Sequence, residues 1–522
     1  MSLSRMPVMT KSIGAAGVFA MLLLSPACTD LTEVPSSSIT PENFYRNETE
    51  VISGLASVYA QLRSTVDDYY NLSEISTDEM IVPTRGQDWY DNGQWIDIHK
   101  QSWNANSPAA GSIINGAWVN LFQGIARANI VLNALGSGGV TFASKPTVVA
   151  ELRTLRAFYY YLLMDTFGGV PIVTDIAIMP RAQNTRAEVF KFIEDELKAA
   201  RTDLPASWPA EMNGRITKGA TDAILASMYL NAQVFTGTVD AASGLQKGPQ
   251  RWQDAVDASD RIISSGVYSL ESASTWRRNF SADNYASPEI IFAVKFTDQA
   301  GLGLNFMMRV LHYTQYNGSP WNGFATLAET YYAFDSTDQR KKIFLEGRQF
   351  NLDTGLPVND RSGQPLFFDP AIADITQATE GAGVRIVKWE YDPAHVAQDA
   401  GNDYAHFRLG EIYLIKAEAL NELGRTAEAV ALVNVIRARA FSTPQPLDPA
   451  AFNQATFRDQ ILKERLLELT AEGKRRQDLI RMNKFTQGTW AFKSPVAPYK
   501  ILMPIPQSQI ETNPLLKQNP GY

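Results

Sequence analysis

The stretch RLGEIYLIKAEALNELGRTAEAVALVNVIRARA, Arg408 to Ala440, decides the fold class. Leu414, Leu420, Leu423, Val430 and Val433 recur at the spacing of one face of an amphipathic helix. Ala417, Ala419, Ala427, Ala429 and Ala431 are small enough to let two such helices approach closely. Gly424 is placed to end the first helix, because the residue past a helix C-terminus commonly adopts a left-handed backbone that glycine takes without strain. Arg425 then lies in the turn. Two helices and a tight turn over about 34 residues are the pattern of a tetratricopeptide-like hairpin. One hairpin cannot bury its apolar face alone, so a stack of pairs is expected.

The same pattern recurs upstream in looser form. Lys218–Phe235 pairs with Trp252–Ser265, Lys145–Phe167 with Arg186–Thr202, and Pro41–Ser64 with Ser112–Leu135. Thr40 stands as an N-cap before Pro41 and Glu42. Late helices are expected over Ala405–Leu423, Thr426–Arg439 and Thr456–Ile480. EIIFAVKF, Glu289–Phe296, reads as a short buried strand. From 299 to 402 the periodicity fades into turn-rich sequence such as GLPVND and RSGQPLFFDP. The expected fold is therefore mainly α: tetratricopeptide-like helix pairs as a scaffold, a loop-rich lobe, and a few short strands. Scaffold is assigned to 41–66, 112–298 and 403–481, the lobe to 67–111 and 299–402, and a C-terminal segment to 482–522, all in one domain. Loops this long in a compact chain are usually functional.

Of 522 residues, 45% are hydrophobic and 20% charged, the balance of a globular chain; the net charge of −8 gives no general attraction to nucleic acid. The single cysteine, Cys28, excludes an internal disulfide. With His99, His312, His395 and His406 scattered, no zinc cluster is in view. Arg5 and Lys11 precede the apolar run Ile13–Leu24, too short to span a membrane at about 20 residues and suited to a signal peptide. LLLSPAC follows. Ala27 supplies the small residue before a cysteine whose thiol can carry lipid, although Leu24 lies one place further back than the strict pattern wants. Residues 1–27 are read as a lipoprotein signal, Cys28 as the lipidated residue, and 28–40 as a tether. The alternative is ordinary cleavage near Ala27, with Cys28 incidental.

Several charged groups look catalytic and have simpler explanations. Glu464, Arg465, Glu468, Glu472, Arg475, Arg476, Asp478 and Arg481 fit ion pairs three and four residues apart on one helix. Glu194, Asp195 and Glu196 are adjacent, so they splay around a helix and cannot oppose each other as glycoside hydrolysis requires. Asp353, Asn359, Asp360 and Asp369 can offer oxygens to calcium, but without EF-hand spacing. No GxSxG, P-loop or HExxH occurs. No cofactor, metal site or catalytic residue is expected, with calcium the one ion left open.

Five blocks carry a family resemblance: GRITKGATDAILASMYLNAQVFTG (Gly214–Gly237), RWQDAVDASDRIISSGVYSL (Arg251–Leu270), DYAHFRLGEIYLIKAEALNELG (Asp403–Gly424), ILKERLLELTAEGKRRQDLIR (Ile461–Arg481) and LMPIPQSQIETNPLLKQNPGY (Leu502–Tyr522). In this order they resemble SusD/RagB-like proteins over nearly the whole mature chain. The resemblance implies an outer-membrane, surface-facing, lipid-anchored protein. It also implies capture of oligosaccharides for a SusC-like TonB-dependent transporter, with helices supporting the transporter contact and a loop-rich face binding ligand. Peptide capture is the alternative within the family; a glycosidase on a helical scaffold is the alternative outside it.

A sugar offers apolar C–H faces and hydroxyls, which call for aromatic platforms beside hydrogen-bonding side chains. Two segments have that mixture: STDEMIVPTRGQDWYDNGQWIDIHKQSWNANS (Ser76–Ser107) and MRVLHYTQYNGSPWNGFAT (Met308–Thr326). From the first, Asp78, Arg85, Trp89, Trp95, Trp103 and Asn104 are candidates; from the second, Tyr313, Tyr316, Trp321 and Asn322. By resemblance, the carry-over rests most on Asp78, Arg85, Trp103, Tyr316 and Trp321, with the two segments facing each other.

Overall fold

The structure, a computed structural model, describes residues 44–136 and 140–522. The apolar run, Cys28, the tether and the Thr40 cap lie outside the described residues. Tyr45–Tyr522 form one unit. In chain order its helices are α1 (Glu48–Gln61), α2 (Asp68–Ile75), α3 (Gln94–His99), α4 (Asn115–Gly136), α5 (Lys145–Phe167), α6 (Arg186–Arg201), α7 (Lys218–Leu230), α8 (Ala232–Phe235), α9 (Trp252–Ile263), α10 (Phe306–Val310), α11 (Ala328–Ala333), α12 (Leu409–Glu422), α13 (Thr426–Ala440), α14 (Gln454–Leu469), α15 (Arg475–Arg481) and α16 (Gln507–Thr512).

All four expected helix pairs form. α1 packs on α4, α5 on α6, α7 on α9, and α12 on α13; contacts of α4 with α5, α6 with α7, and α9 with α12 make the stack continuous. The axis of the stack is α5, buried at every position from Thr154 to Phe167. A helix enclosed all round must pair its polar groups internally. Arg156 meets Glu196 at 2.5 Å and Asp165 meets Arg476 at 2.9 Å. Gly424 ends α12 with φ +79°, and the Arg425 N–H reaches back to Leu420 O at 2.9 Å, the closure that a left-handed cap provides.

Three boundaries differ from expectation. The first helix begins at Glu48, where the Asn47 side chain accepts from the Glu50 N–H at 3.0 Å. Residues 405–408 are extended: they belong to β8 (Tyr404–Arg408), which pairs antiparallel with β3 (Ile290–Val294). The 456–480 helix is two, because α14 stops at Leu469 and the chain turns through Ala471 (φ +65°) and Gly473 (φ +73°). Two buried carboxyl groups of the first loop region hold that turn. Glu79 accepts from the Ala471 N–H at 2.9 Å, and Glu74 from the Gly473 N–H at 2.5 Å.

The remaining strands form small antiparallel ribbons: β1 (Thr238–Asp240) with β2 (Gly244–Gln246), β4 (Phe344–Leu345) with β7 (Arg385–Ile386), and β5 (Gly347–Arg348) with β6 (Phe367–Phe368). Val358, Leu366 and Phe368 form a small core of their own within the lobe. Lobe and scaffold are joined by a buried ion cluster. Arg408 contacts Glu289 (2.9 Å), Glu468 (2.7 Å) and Glu472 (2.7 Å); Arg439 contacts Glu289 and Glu468; Lys388 contacts Glu472; Arg340 contacts Asp338 (2.8 Å) and Glu464 (2.7 Å); Arg437 contacts Glu464 (3.0 Å). Five carboxylates thus face five cations, the balance that buried charges need. The charged run was expected to pair along one helix. It does form ion pairs, but most partners come from other elements: β8, α13 and the lobe for Glu464, Glu468 and Glu472, and Asp165 for Arg476. Arg481 with Asp478 is a pair of the expected kind.

Candidate functional site: an aromatic loop face

The two aromatic segments meet, although the chain between them builds most of the scaffold. Backbone bonds join Ile81 and Ala325 in both directions, at 2.8 and 2.9 Å. At their junction Trp89 adopts φ +62° and turns its indole against the second segment. Trp89 Nε1 donates to Trp321 O at 2.7 Å. The Trp89 ring lies edge-on to Trp95 (5.6 Å) and Phe324 (5.5 Å) and tilted to Trp321 (6.4 Å). Gly323 makes this possible: a Cβ there would sit 2.2 Å from the Trp89 ring. Trp89, Tyr313 and Trp321 remain partly exposed, and Tyr90 is 58% exposed.

A polar fringe borders the rings. The Tyr313 hydroxyl donates to Asp88 Oδ2 at 2.6 Å, and the Arg361 guanidinium lies over the Tyr313 ring at 4.4 Å. Arg361 also pairs with Asp88 at 2.9 Å and with Glu380, while its side chain stays 56% exposed. His312 Nε2 meets Glu380 Oε2 at 2.8 Å. Burial lowers the His312 pKa, so the neutral ring donates to Glu380. Burial would raise Glu380, but the bonds from Arg361 and His312 hold it below its usual range. Burial and the bond to Asp88 push the Tyr313 hydroxyl up to about 12, which keeps it a donor. Beyond Glu380 the surface continues into an open cleft of about 520 Å³ bordered by Asp360, Phe367, Asp369 and Gln377.

Several candidates occupy other places. Arg85 is buried, and its guanidinium donates to three backbone carbonyls, Asn322 O (2.8 Å), Thr379 O and Ala382 O (2.8 Å). It braces the face from beneath and does not present itself to a ligand. Asp78 is clamped by Arg475 through two bonds of 2.7 Å. Trp103 is fully buried and donates to the Tyr522 hydroxyl at 2.7 Å, anchoring the C-terminal segment. Trp95 is buried under Trp89, with Nε1 on Asp91 at 2.7 Å. Asn322 is buried at φ +52° and accepts from Arg385 at 2.8 Å. Tyr316 is 5% exposed and packs against His395 (4.7 Å) and Tyr391 (5.8 Å). Asn104 is exposed and closes its own turn on the Asn106 N–H at 2.9 Å. For Arg85, Trp103 and Asn322 a distant partner claims the polar group, and composition alone cannot reveal that partner. The fringe residues Arg361 and Glu380 were absent from the candidates; a lone arginine within the turn-rich RSGQPLFFDP was the available signal.

The carboxylates that looked catalytic or metal-binding are separated. Glu194 pairs with Lys198 and Arg251, Asp195 with Lys191, and Glu196 with Arg153 and Arg156. Asp353 accepts from the Asn317 N–H at 2.8 Å, Asp360 from the Ser362 N–H at 2.9 Å, and Asp369 from the Ala371 N–H at 2.8 Å. Among the described residues no three His, Cys, Asp or Glu side chains gather as a metal site.

Residues 288–497 match the SusD family, and residues 33–230 match a family described as starch-binding associating with outer membrane. SusD-like protein P25 of Formosa agariphila is 24% identical over 547 residues, covering 94% of this chain and 96% of that protein. The starch-binding protein SusD of Bacteroides thetaiotaomicron is 26% identical over 507 residues, covering 87% and 85%. Among solved structures, a SusD-like protein from Bacteroides fragilis superposes with a TM-score of 0.71 at 22% identity, over 92% of this chain and 98% of that one. A laminarin-binding SusD-like protein superposes at 0.69 with 23% identity, over 92% and 100%.

Proposed function

The chain belongs to the SusD family, and from that footing we propose that it is a non-catalytic binding lipoprotein that captures oligosaccharides on the Trp89–Tyr313–Trp321 face. Delivery is to a SusC-like TonB-dependent transporter in the outer membrane, with Cys28 as the surface lipid anchor. The observation that carries the reading is the convergence of Trp89, Tyr313 and Trp321 beside Asp88 and Arg361. Partly exposed indole and phenol faces suit the C–H faces of a sugar, and a carboxylate and a guanidinium suit its hydroxyls. Arg85 and Gly323 pre-organise that face, which reduces the ordering cost of binding. The starch-binding name of the Bacteroides thetaiotaomicron relative supports a glycan over a peptide.

The test is calorimetry on protein lacking residues 1–28, against a panel of oligosaccharides chosen from a glycan array. Binding without turnover is expected, weakened about tenfold or more by Trp321→Ala, as loss of one anchoring aromatic implies. Release of shorter sugars by the purified protein would overturn the non-catalytic reading. Affinity indifferent to Trp321→Ala and Tyr313→Ala alike would overturn the placement of the site.

A further inference from the structure

None of the loop-face residues borders a second cleft, of about 140 Å³, set between the α6–α7 connection and β3. Ser207, Trp208, Asn213, Arg215, Tyr268 and Tyr285 supply its side-chain chemistry. Trp208 is partly exposed, and its Nε1 donates to Ile216 O at 2.8 Å. The Arg215 guanidinium stacks on the indole, 4.1 Å from the ring centroid. Tyr285 is 55% exposed, and the Asn213 side chain holds its backbone carbonyl at 3.0 Å, tying the two walls together. The Tyr268 hydroxyl meets Thr217 Oγ1 at 2.9 Å.

The wall is fixed from behind. Arg215 Nε donates to the buried carboxylate of Glu151 at 3.0 Å, and a second guanidinium N–H reaches the same group. Glu151 also accepts from the Tyr59 hydroxyl at 2.5 Å, and that hydroxyl accepts from the Ile216 N–H at 2.9 Å. Segment 215–217 is thereby fastened to α5 and α1. The one charge in the group of six is thus taken up by a buried partner, and among the described residues no carboxylate lines the cleft. What faces solvent is two aromatic rings with hydroxyl and amide groups between them; the Lys295 ammonium, 5.3 Å from the Tyr285 ring centroid, is paired with the buried Asp403.

We propose that this cleft is a second binding site, for a neutral saccharide. A ligand must match flat apolar surface alternating with uncharged donors and acceptors. The C–H faces and hydroxyls of a neutral pyranose do so; an anion finds no free cation, and a cation finds no carboxylate. The proposal does not depend on what the loop face binds.

The experiment uses protein lacking residues 1–28 and carrying Trp321→Ala and Tyr313→Ala, titrated by calorimetry with maltohexaose and with laminarihexaose. Saturable binding of at least one glucan is expected, weakened about tenfold by adding Tyr285→Ala or Trp208→Ala, the scale of one lost stacking ring. Tyr285 is mostly exposed, so its removal leaves the melting temperature unchanged and the comparison interpretable. Crystals soaked in the bound glucan are expected to show a sugar ring against Tyr285 or Trp208. The proposal is overturned if neither glucan binds the loop-face variant, or if binding is indifferent to both cleft substitutions. Binding of a neutral peptide in place of both glucans overturns it as well. Failure of the loop-face reading is read separately, from the parent protein with and without Trp321→Ala.

Discussion

The Tyr313 hydroxyl donates to Asp88 at 2.6 Å across 225 positions of sequence, and Arg361 closes over both. This clasp fixes the distance between the two loop segments that carry Trp89 and Trp321. Tyr313→Phe keeps the ring and removes the clasp. Its expected effect is a glycan affinity about two- to tenfold weaker, the range of one net hydrogen bond of roughly 0.5–1.5 kcal/mol. Calorimetry against a bound oligosaccharide reads it; an affinity equal to the parent's would remove the clasp from the site.

Gly323→Ala is expected to displace Trp89 from behind while leaving Tyr313 and Trp321 in place. The added methyl would lie 2.2 Å from the indole, and overpacking of this kind costs about 1–3 kcal/mol. Thermal melting should shift down by a few degrees, while affinity falls about tenfold. Unchanged tryptophan fluorescence together with unchanged affinity would show that the indole never moved.

The buried ion cluster predicts large, localised destabilisation. Glu468→Ala leaves Arg408, Arg439 and Arg340 short of a partner, and unfolding by denaturant should report a loss of about 3–5 kcal/mol. Burial alone would raise Glu289, but Arg439 and Arg408 hold it down at about 2. Its contribution is therefore present above its ordinary range near 4.5 and is lost as pH falls through about 2. Glu289→Gln should flatten that acid limb; an acid limb identical to the parent's would refute the assignment.

Glu74 predicts the opposite slope. Burial raises it from 4.5 to about 7, and the buried Glu79 beside it is raised too. A raised carboxyl favours the protonated fold, so stability is full below about 4.5 and declines as pH rises towards 7. Glu74→Gln fixes the neutral form and keeps an oxygen for the Gly473 N–H. The variant should match the parent near pH 4.5 and be the more stable of the two at pH 8. Parallel pH profiles for the two proteins would show that Glu74 does not titrate in the fold.

The helical stack could be read from residues because its signal is local. The apolar period of α5 and the Gly424 cap each lie within one element, and the four predicted pairs all form. The loop face was legible only as two aromatic segments. Whether Trp103 or Trp89 reaches the surface is decided by partners hundreds of positions away: Tyr522 takes the Trp103 indole, while Trp321 O takes that of Trp89. Arg85 looked like a ligand group and is consumed by three carbonyls from 322 to 382. Arg361 gave no periodicity and no neighbouring motif, so its place over Tyr313 emerges only from the fold.

The turn between α14 and α15 has a bearing on how the chain acquires its shape. Its amides are satisfied by Glu74 and Glu79, its Ala471 carbonyl by the Tyr70 hydroxyl at 3.1 Å, and Arg475 beside it by Asp78. These partners are separated by about four hundred residues of sequence. Closing so long a loop is entropically unfavourable until many contacts form together, and such topologies fold slowly. Until residues 471–473 arrive, the Glu74 and Glu79 carboxyl groups lack the amides they accept from in the fold. The recognition loops hang from the stretch that carries them. The helical stack can therefore mature by neighbour-to-neighbour growth, whereas competence to hold a ligand comes at the final step, and a chain stalled before it would be helical by circular dichroism yet blind to its ligand.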